Sequence, residues 1–278
     1  MQNLQDIFRQ IPYKSIKWDS YFPVYEQLLA KYVGQPVTLV EIGILDGGSL
    51  FMWRTFLGPH ARIIGIDLNP ATKSLEEHGF QIHIGDQASP EFWRHFYAQT
   101  GPIDILIDDG GHTNRQQITT LRASLDHVRD KGVMVFEDVH ASYMKEFGNP
   151  SRYSFIAYSR KLVDEINARN PSVPPGRPSR AADAIHSIAY HESMVCLHID
   201  RTLCRRPDHV TGGTRGLNAV DQRDSDKQLL PGTKALFKRW LRTTFAGEFA
   251  ARCYYWAARQ HRRLSYFREN LSLRRHFR

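Results

Sequence analysis

Cysteine is scarce in this chain: Cys196, Cys204 and Cys253 are the three thiols in 278 residues. So few, so scattered, exclude a disulfide framework and a zinc cluster, and they fit a reducing cytoplasm. Long apolar runs are missing as well, and none approaches the roughly 18 residues of a membrane span. The N-terminus, MQNLQDIFRQ, lacks the basic stretch and apolar segment of a secretory signal. No G-x-G-x-x-G follows the first candidate strand, so the pyrophosphate cradle of a dinucleotide site is not evident. What remains is an ordinary globular composition, 41% hydrophobic and 24% charged, long enough to bury a full core.

The net charge of +8 is unevenly placed: residues 205–278 carry +11 and residues 1–204 carry −3. The basic character is therefore a property of the tail and says little about a site in the body.

The stretch that organises the body is Ile103 to His112, IDILIDDGGH. Aliphatic residues stop at two adjacent carboxylates, two glycines and a histidine, the pattern of a buried parallel strand reaching its C-terminal edge. In open α/β sheets that edge is where ligands sit. The pattern recurs at Gly132–Phe136, followed by Glu137, Asp138, Val139 and His140.

Before it, residues 1–35 read as helical, with Tyr21, Val24, Tyr25, Leu28, Leu29 and Tyr32 at amphipathic spacing. Strands are expected at 37–42, 63–66, 81–84, 103–107 and 133–136, alternating with helices at 50–56, 72–78, 90–99 and 114–129. Such alternation implies a parallel sheet with right-handed crossovers. A helix at 153–167, a proline-rich loop at 169–180 and two apolar runs at 184–190 and 194–199 follow, the last two read as an antiparallel hairpin. The expected fold is thus α/β and Rossmann-like: five parallel strands plus a C-terminal hairpin, the arrangement of class I methyltransferases, with helices on both faces. The expected divisions are an N-terminal helical cap (1–36), the core (37–204), a linker (205–232) and a basic amphipathic helical tail (233–278). In that tail Phe237, Leu241, Phe245, Phe249 and Cys253 step by four beside Trp240 and Trp256.

The loop Glu41-Ile-Gly43-Ile-Leu-Asp-Gly47-Gly-Ser follows the first strand and opens a helix, where glycines and free N–H groups admit a ligand closely. Asp67 ends the second strand, 24 residues beyond Gly43, placed to accept both hydroxyls of a ribose. With no pyrophosphate cradle, the spacing favours S-adenosyl-L-methionine over NAD. Asp86, after the third strand, is a candidate adenine contact and equally a simple turn residue. If the fourth and fifth strands are neighbours, their ends lie roughly 5 Å apart. Asp109, Glu137 and Asp138 would then crowd together and repel unless a hard divalent cation such as Mg²⁺ neutralises them. His112, three residues past Asp109, is the leading general base, with His140 its competitor.

Together VEIGILDGGSLFMW, GIDLNP, GDQASPEFW, IDDGGH and FEDVHASY resemble the metal-dependent sugar O-methyltransferases of the macrocin and mycinamicin type, across about residues 15–200. They are also similar to rhamnosyl O-methyltransferases and the cephalosporin hydroxylase-like group. The resemblance implies Mg²⁺ on Asp109, Glu137 and Asp138, with His112 as base. It implies S-adenosyl-L-methionine contacts from Glu41, Gly43, Asp67 and Asp86, with Gly47 in the same glycine loop. The expected activity is O-methylation of a sugar hydroxyl on a glycosylated natural product or glycan, in the cytoplasm, with the oligomeric state left open. The chain is expected to depart from the pattern in three ways: it lacks the large N-terminal auxiliary domain such enzymes can carry, and its loop 169–180 and tail 205–278 have no counterpart in the family. The tail motivates a second reading, a basic module docking on an anionic membrane surface or, less favoured, on nucleic acid. In that reading the methyltransferase-like core is non-catalytic or regulatory.

Overall fold

The computed structural model describes residues 3–147, 152–173, 179–214 and 245–277. The chain divides into two compact units, Met1–His209 and Val210–Arg278.

In the first unit, seven strands form one mixed sheet in the order β3-β2-β1-β4-β5-β7-β6. They are β1 (Thr38–Ile42), β2 (Arg62–Asp67), β3 (Gln81–Ile84), β4 (Ile103–Asp108), β5 (Val128–Phe136), β6 (Ile185–His191) and β7 (Met194–Ile199). The first five are parallel, and β7 joins β5 antiparallel as the inner strand of the terminal hairpin. The class I methyltransferase architecture expected from the alternation is present. The chain order reverses between β1 and β4, so their C-terminal ends open a crevice at the topological switch point. Register places Ile42 beside Asp108, and Asp108 beside Phe136. The residues that follow those strands therefore emerge side by side.

One face of the sheet is covered by α1 (Leu4–Arg9), α2 (Tyr21–Leu29) and α3 (Gly48–Leu57), the other by α4 (Pro90–Thr100), α5 (Asn114–Ser124), α6 (Phe155–Asn167) and α7 (Arg180–Ala184). Alternate residues of β1 serve both cores, Leu39 the first and Val40 and Ile42 the second, so both faces of the strand are buried. Trp53 and Tyr25 meet edge to face at 4.8 Å in the first core, both fully buried. A capping box between Thr113 and Gln116 starts α5 directly after the IDDGGH stretch.

Three expectations need correction. Residues 1–35 are not continuously helical: residues 10–20 form an open connection, including three turn residues, between α1 and α2. The helix expected over 114–129 ends at Ser124, because β5 begins at Val128 and needs the intervening residues for its entry. The segment 72–78 winds as a 3₁₀ helix over Pro70–His78.

In the second unit, Phe245–Leu273 is a 29-residue helix, here α8, followed by a 3₁₀ turn at Arg274–Phe277. Phe237, Trp240, Leu241 and the stretch 215–244 lie outside the described residues. Among the described residues, no helix is long and apolar enough to cross a membrane.

Candidate functional site

A cavity of about 500 Å³ lies at the switch point, large enough for a small cofactor. Its floor is built from the first loop, including Gly43, and from Asp67, Gly85 and Gln87; one wall is Asp109 to His112. Gly43 has φ +77°, and a Cβ there would sit 2.1 Å from the Asp109 carbonyl oxygen. The glycine is required because the β1 and β4 loops touch. Asp67 is pinned at the end of β2, its Oδ2 accepting from the Ile44 N–H at 3.0 Å and its Oδ1 from Asn69 N–H at 2.9 Å.

Of the expected donor contacts, Gly43 and Asp67 line the cavity, whereas Glu41, Gly47 and Asp86 are not in its lining. Glu41 is buried beneath it and accepts from Ser49 Oγ at 2.6 Å. Gly47 has φ +88°, and a Cβ on it would run into Leu75. Asp86 closes its own turn, accepting from Ala88 N–H at 2.7 Å.

The acidic edge is organised in two groups that share Asp109. In the first, Asp109 Oδ1 and Asp138 Oδ2 turn towards His112 Nε2, at 3.9 and 3.5 Å. The remaining oxygens are held from behind. Asp109 Oδ2 accepts from Lys17 at 2.9 Å, and Asp138 Oδ1 accepts from the Tyr21 hydroxyl at 2.6 Å and the Trp18 indole at 3.1 Å. In the second group, Glu41, Asp109 and Glu137 surround the Lys17 ammonium. Glu137 Oε1 accepts from Lys17 at 2.7 Å and also from the Tyr25 hydroxyl. The structure thus gathers Asp109 and Asp138 around His112, and places Glu137 with Lys17 rather than in that group.

Backbone geometry marks the same place. His112 (φ +55°) and Asp138 (φ +51°) are both non-glycine residues in the left-handed region, a costly conformation that concentrates at working sites. His112 lines the cavity, and its buried Nδ1 has no hydrogen-bond partner. His140 lies outside the lining; its Nδ1 is hydrogen-bonded to Ser193 Oγ.

Charge is in surplus. Burial pushes Glu41, Asp109 and Glu137 upward, Glu137 to about 8, and the Lys17 ammonium pulls each back down. Burial by itself would lower Lys17, but Asp109, Glu137 and Glu41 outweigh it and hold it well above its ordinary value. One ammonium stands against those three carboxylates and adjoining Asp138, so the donor set is oxygen-rich and under-neutralised. That is the chemistry of a hard divalent cation, and Mg²⁺ fits it. Asp108 is fully buried below, bonded to Gln87 Nε2 at 2.9 and 3.0 Å, and burial raises it too. Gln87 also accepts from Gly111 N–H at 3.0 Å and so braces the loop carrying His112.

Residues missed from sequence are Lys17, Tyr21, Tyr25 and Gln87. The tyrosines were legible as an apolar stripe, and their hydroxyls carried no separate signal. Lys17 sits in the segment read as helix.

Residues 40–139 match the model of a methyltransferase domain family. The chain is 30% identical over 197 residues to the 8-demethyl-8-(2-methoxy-alpha-L-rhamnosyl)-tetracenomycin-C 3'-O-methyltransferase of Streptomyces olivaceus, covering 66% of this chain and 50% of that protein. It is 32% identical over 187 residues to the mycinamicin VI 2''-O-methyltransferase of Micromonospora griseorubida, covering 62% and 46%. It spans about half the length of the curated relatives it matches. Among solved structures it is similar to the MycE methyltransferase of the mycinamycin pathway in complex with Mg and SAH, with TM-score 0.64 and 27% identity over 72% of this chain and 55% of that one. MycE has also been solved with Mg, SAH and mycinamycin VI, where the match has 26% identity, TM-score 0.64 and covers 72% and 54%.

Proposed function

We propose, since the chain belongs to the class I S-adenosyl-L-methionine-dependent methyltransferase family of the macrocin and mycinamicin sugar O-methyltransferase type, that it methylates a hydroxyl of a sugar on a glycosylated natural product or glycan, using Mg²⁺. The observation that carries this is the gathering of Asp109, His112 and Asp138 on the wall of the switch-point cavity. Asp109 and Asp138 are the proposed Mg²⁺ ligands. Glu137 is the third, through the carboxylate oxygen that neither Lys17 nor Tyr25 uses. When bound, the metal supplies positive charge that makes an acceptor hydroxyl easier to deprotonate.

The chain's own residues do the rest. Gly43 leaves room for the donor beside β1, and Asp67 accepts from its ribose hydroxyls. Asp109 and Asp138 hold the acceptor end of the site in register with the donor end, supplying proximity. His112 takes the hydroxyl proton while the acceptor oxygen forms its bond to the donor's methyl carbon and the sulfur–carbon bond breaks. The sulfonium becomes a neutral thioether, so no oxyanion hole is needed. His140, bonded to Ser193, is the weaker candidate for that base.

The test is transfer of a labelled methyl group to a panel of rhamnosylated, macrolide and polysaccharide acceptors, with Mg²⁺ and with EDTA. Transfer that requires a sugar acceptor and stops with EDTA supports the reading. Transfer that survives both EDTA and Asp109→Ala removes the metal from it.

A second reading concerns the tail. Trp256, Leu264, Phe267 and Leu271 of α8 are each more than half exposed. At 100° per residue they fall within an arc of about 80°. Arg259, Arg263 and Arg268 are exposed around them. An apolar stripe edged by arginine suits an anionic membrane surface, and would station the enzyme there. Sedimentation with anionic but not neutral vesicles, lost in the full-length Trp256→Glu/Phe267→Glu variant, is the expected result; equal sedimentation of both proteins rejects it. Nucleic acid is the less favoured partner because the stripe between the arginines is apolar.

A further inference from the structure

The mechanism above leaves one buried cation unused. The Lys17 side chain is 0% exposed, and its Nζ lies 3.2 Å from Glu41 Oε1, 2.9 Å from Asp109 Oδ2 and 2.7 Å from Glu137 Oε1. An ammonium has three protons to donate, and here three carboxylates surround it. The rings of Tyr25 and Trp53, each centred 5.9 Å from Nζ, wall it off from water.

The three acids belong to three different elements. Glu41 lies in β1 and accepts from Ser49 at the start of α3, tying it to the glycine loop of the donor site. Asp109 follows β4, and Glu137 follows β5. Lys17 itself comes from the 10–20 connection, whose Ser15 and Ile16 line the cavity. The same connection fits closely against α3: a Cβ on Gly48 would sit 2.2 Å from the Tyr13 carbonyl oxygen. Tyr13 stacks on Phe51 at 5.2 Å.

We propose that Lys17 is a positioning residue: a resident counter-ion that holds the ends of β1, β4 and β5 in register and anchors the connection 10–20 along the donor cavity. By occupying the space between Glu41, Asp109 and Glu137, it holds together three carboxyl groups that repel one another when ionised. It thereby presents the free oxygens of Asp109 and Glu137 to the metal. This rests on the reading of Asp109 and Glu137 as metal ligands for its metal arm, and on geometry alone for its donor arm.

The test uses the full chain with Lys17→Arg, Lys17→Gln and Lys17→Met. Mn²⁺ binding is followed by electron paramagnetic resonance, S-adenosyl-L-methionine binding by calorimetry without acceptor, and Tm by circular dichroism. The expected result is at least tenfold weaker Mn²⁺ binding and at least fivefold weaker donor binding for Gln and Met, with Arg recovering most of both. A residue that only stabilises the fold would lower Tm and leave the affinities of the folded protein unchanged. Both affinities within twofold of wild type in folded Lys17→Gln or Lys17→Met overturn the proposal, whatever the Tm. Where neither folds, Lys17→Met/Glu41→Gln removes one unpaired carboxylate with the cation and is held to the same thresholds. If the wild type binds no Mn²⁺, the metal reading fails, and the donor titration decides the role of Lys17 by itself.

Discussion

His112→Asn isolates the proton-accepting step. The imidazole lies 3.5 Å from Asp138 Oδ2 and 3.9 Å from Asp109 Oδ1, with φ +55°. Alanine would remove the base and also burden a left-handed position; asparagine tolerates that conformation and keeps the backbone. The amide cannot take a proton, and both carboxylates stay in place. General-base catalysis contributes about 10²- to 10⁴-fold, which is about 3–5 kcal/mol of barrier. Labelled-methyl transfer at saturating donor, acceptor and Mg²⁺ should lose that much in kcat, with donor and Mn²⁺ affinities within threefold of wild type. His140→Asn should cost less than tenfold, because that ring is bonded to Ser193 and stands outside the cavity lining. A His112→Asn enzyme retaining a third of wild-type kcat, or a larger loss from His140→Asn, would refute the assignment.

Two further outcomes follow from the packing and charge of the same edge. Gly43→Ala drives a Cβ to 2.1 Å from the Asp109 carbonyl, so the two loops must separate; donor affinity should drop at least tenfold, and calorimetry showing wild-type affinity would contradict the close approach. In EDTA, the stability tied to Glu137 depends on pH. Its carboxyl is raised from 4.5 to about 8 in the folded protein, so the folded state binds the proton more tightly. That contribution is full below about 4.5 and is lost as pH rises through about 8. Tm in EDTA should therefore fall between pH 6.5 and 8.5, with Mg²⁺ restoring it at the upper end; a flat profile in EDTA counts against the charge surplus.

The sheet was legible because each parallel strand carries apolar residues up to a stop at an acid or glycine, and that pattern survives without tertiary context. Asp109, His112 and Asp138 were legible for the same reason: they sit at the ends of such runs. Glu137 was placed correctly at the edge, but its surroundings depend on Lys17, whose position is set by a connection with no period of its own. Tyr21 and Tyr25 show how one residue can carry two messages. Their rings satisfy the amphipathic pattern of α2 and fill the first core, while their hydroxyls reach Asp138 and Glu137. Periodicity reports the ring and is blind to the hydroxyl. Gln87 was hidden differently, since a polar residue after a strand looks like a turn until Asp108 and Gly111 are seen around it.

That double use makes Tyr21→Phe a sharp probe of how the core supports the edge. The ring is buried, and phenylalanine keeps its packing, so the loss is confined to one oxygen. That oxygen donates to Asp138 Oδ1 at 2.6 Å and accepts from the Asp138 N–H at 3.1 Å. Both bonds fall on a residue held at φ +51°, where the backbone has no intrinsic preference to stay. Removing them leaves a part-buried N–H and a carboxylate oxygen short of partners, at a cost of about 1–3 kcal/mol. Trp18 still donates to the same oxygen at 3.1 Å, so the carboxylate should loosen rather than leave. Denaturant unfolding should show a loss within that range, and Mn²⁺ binding should weaken several-fold while donor binding holds, since Tyr21 is not in the cavity lining. A variant that loses stability with Mn²⁺ affinity intact would mean that Asp138 keeps its place without the hydroxyl, and that the left-handed turn is set by β5 and Ser193 instead.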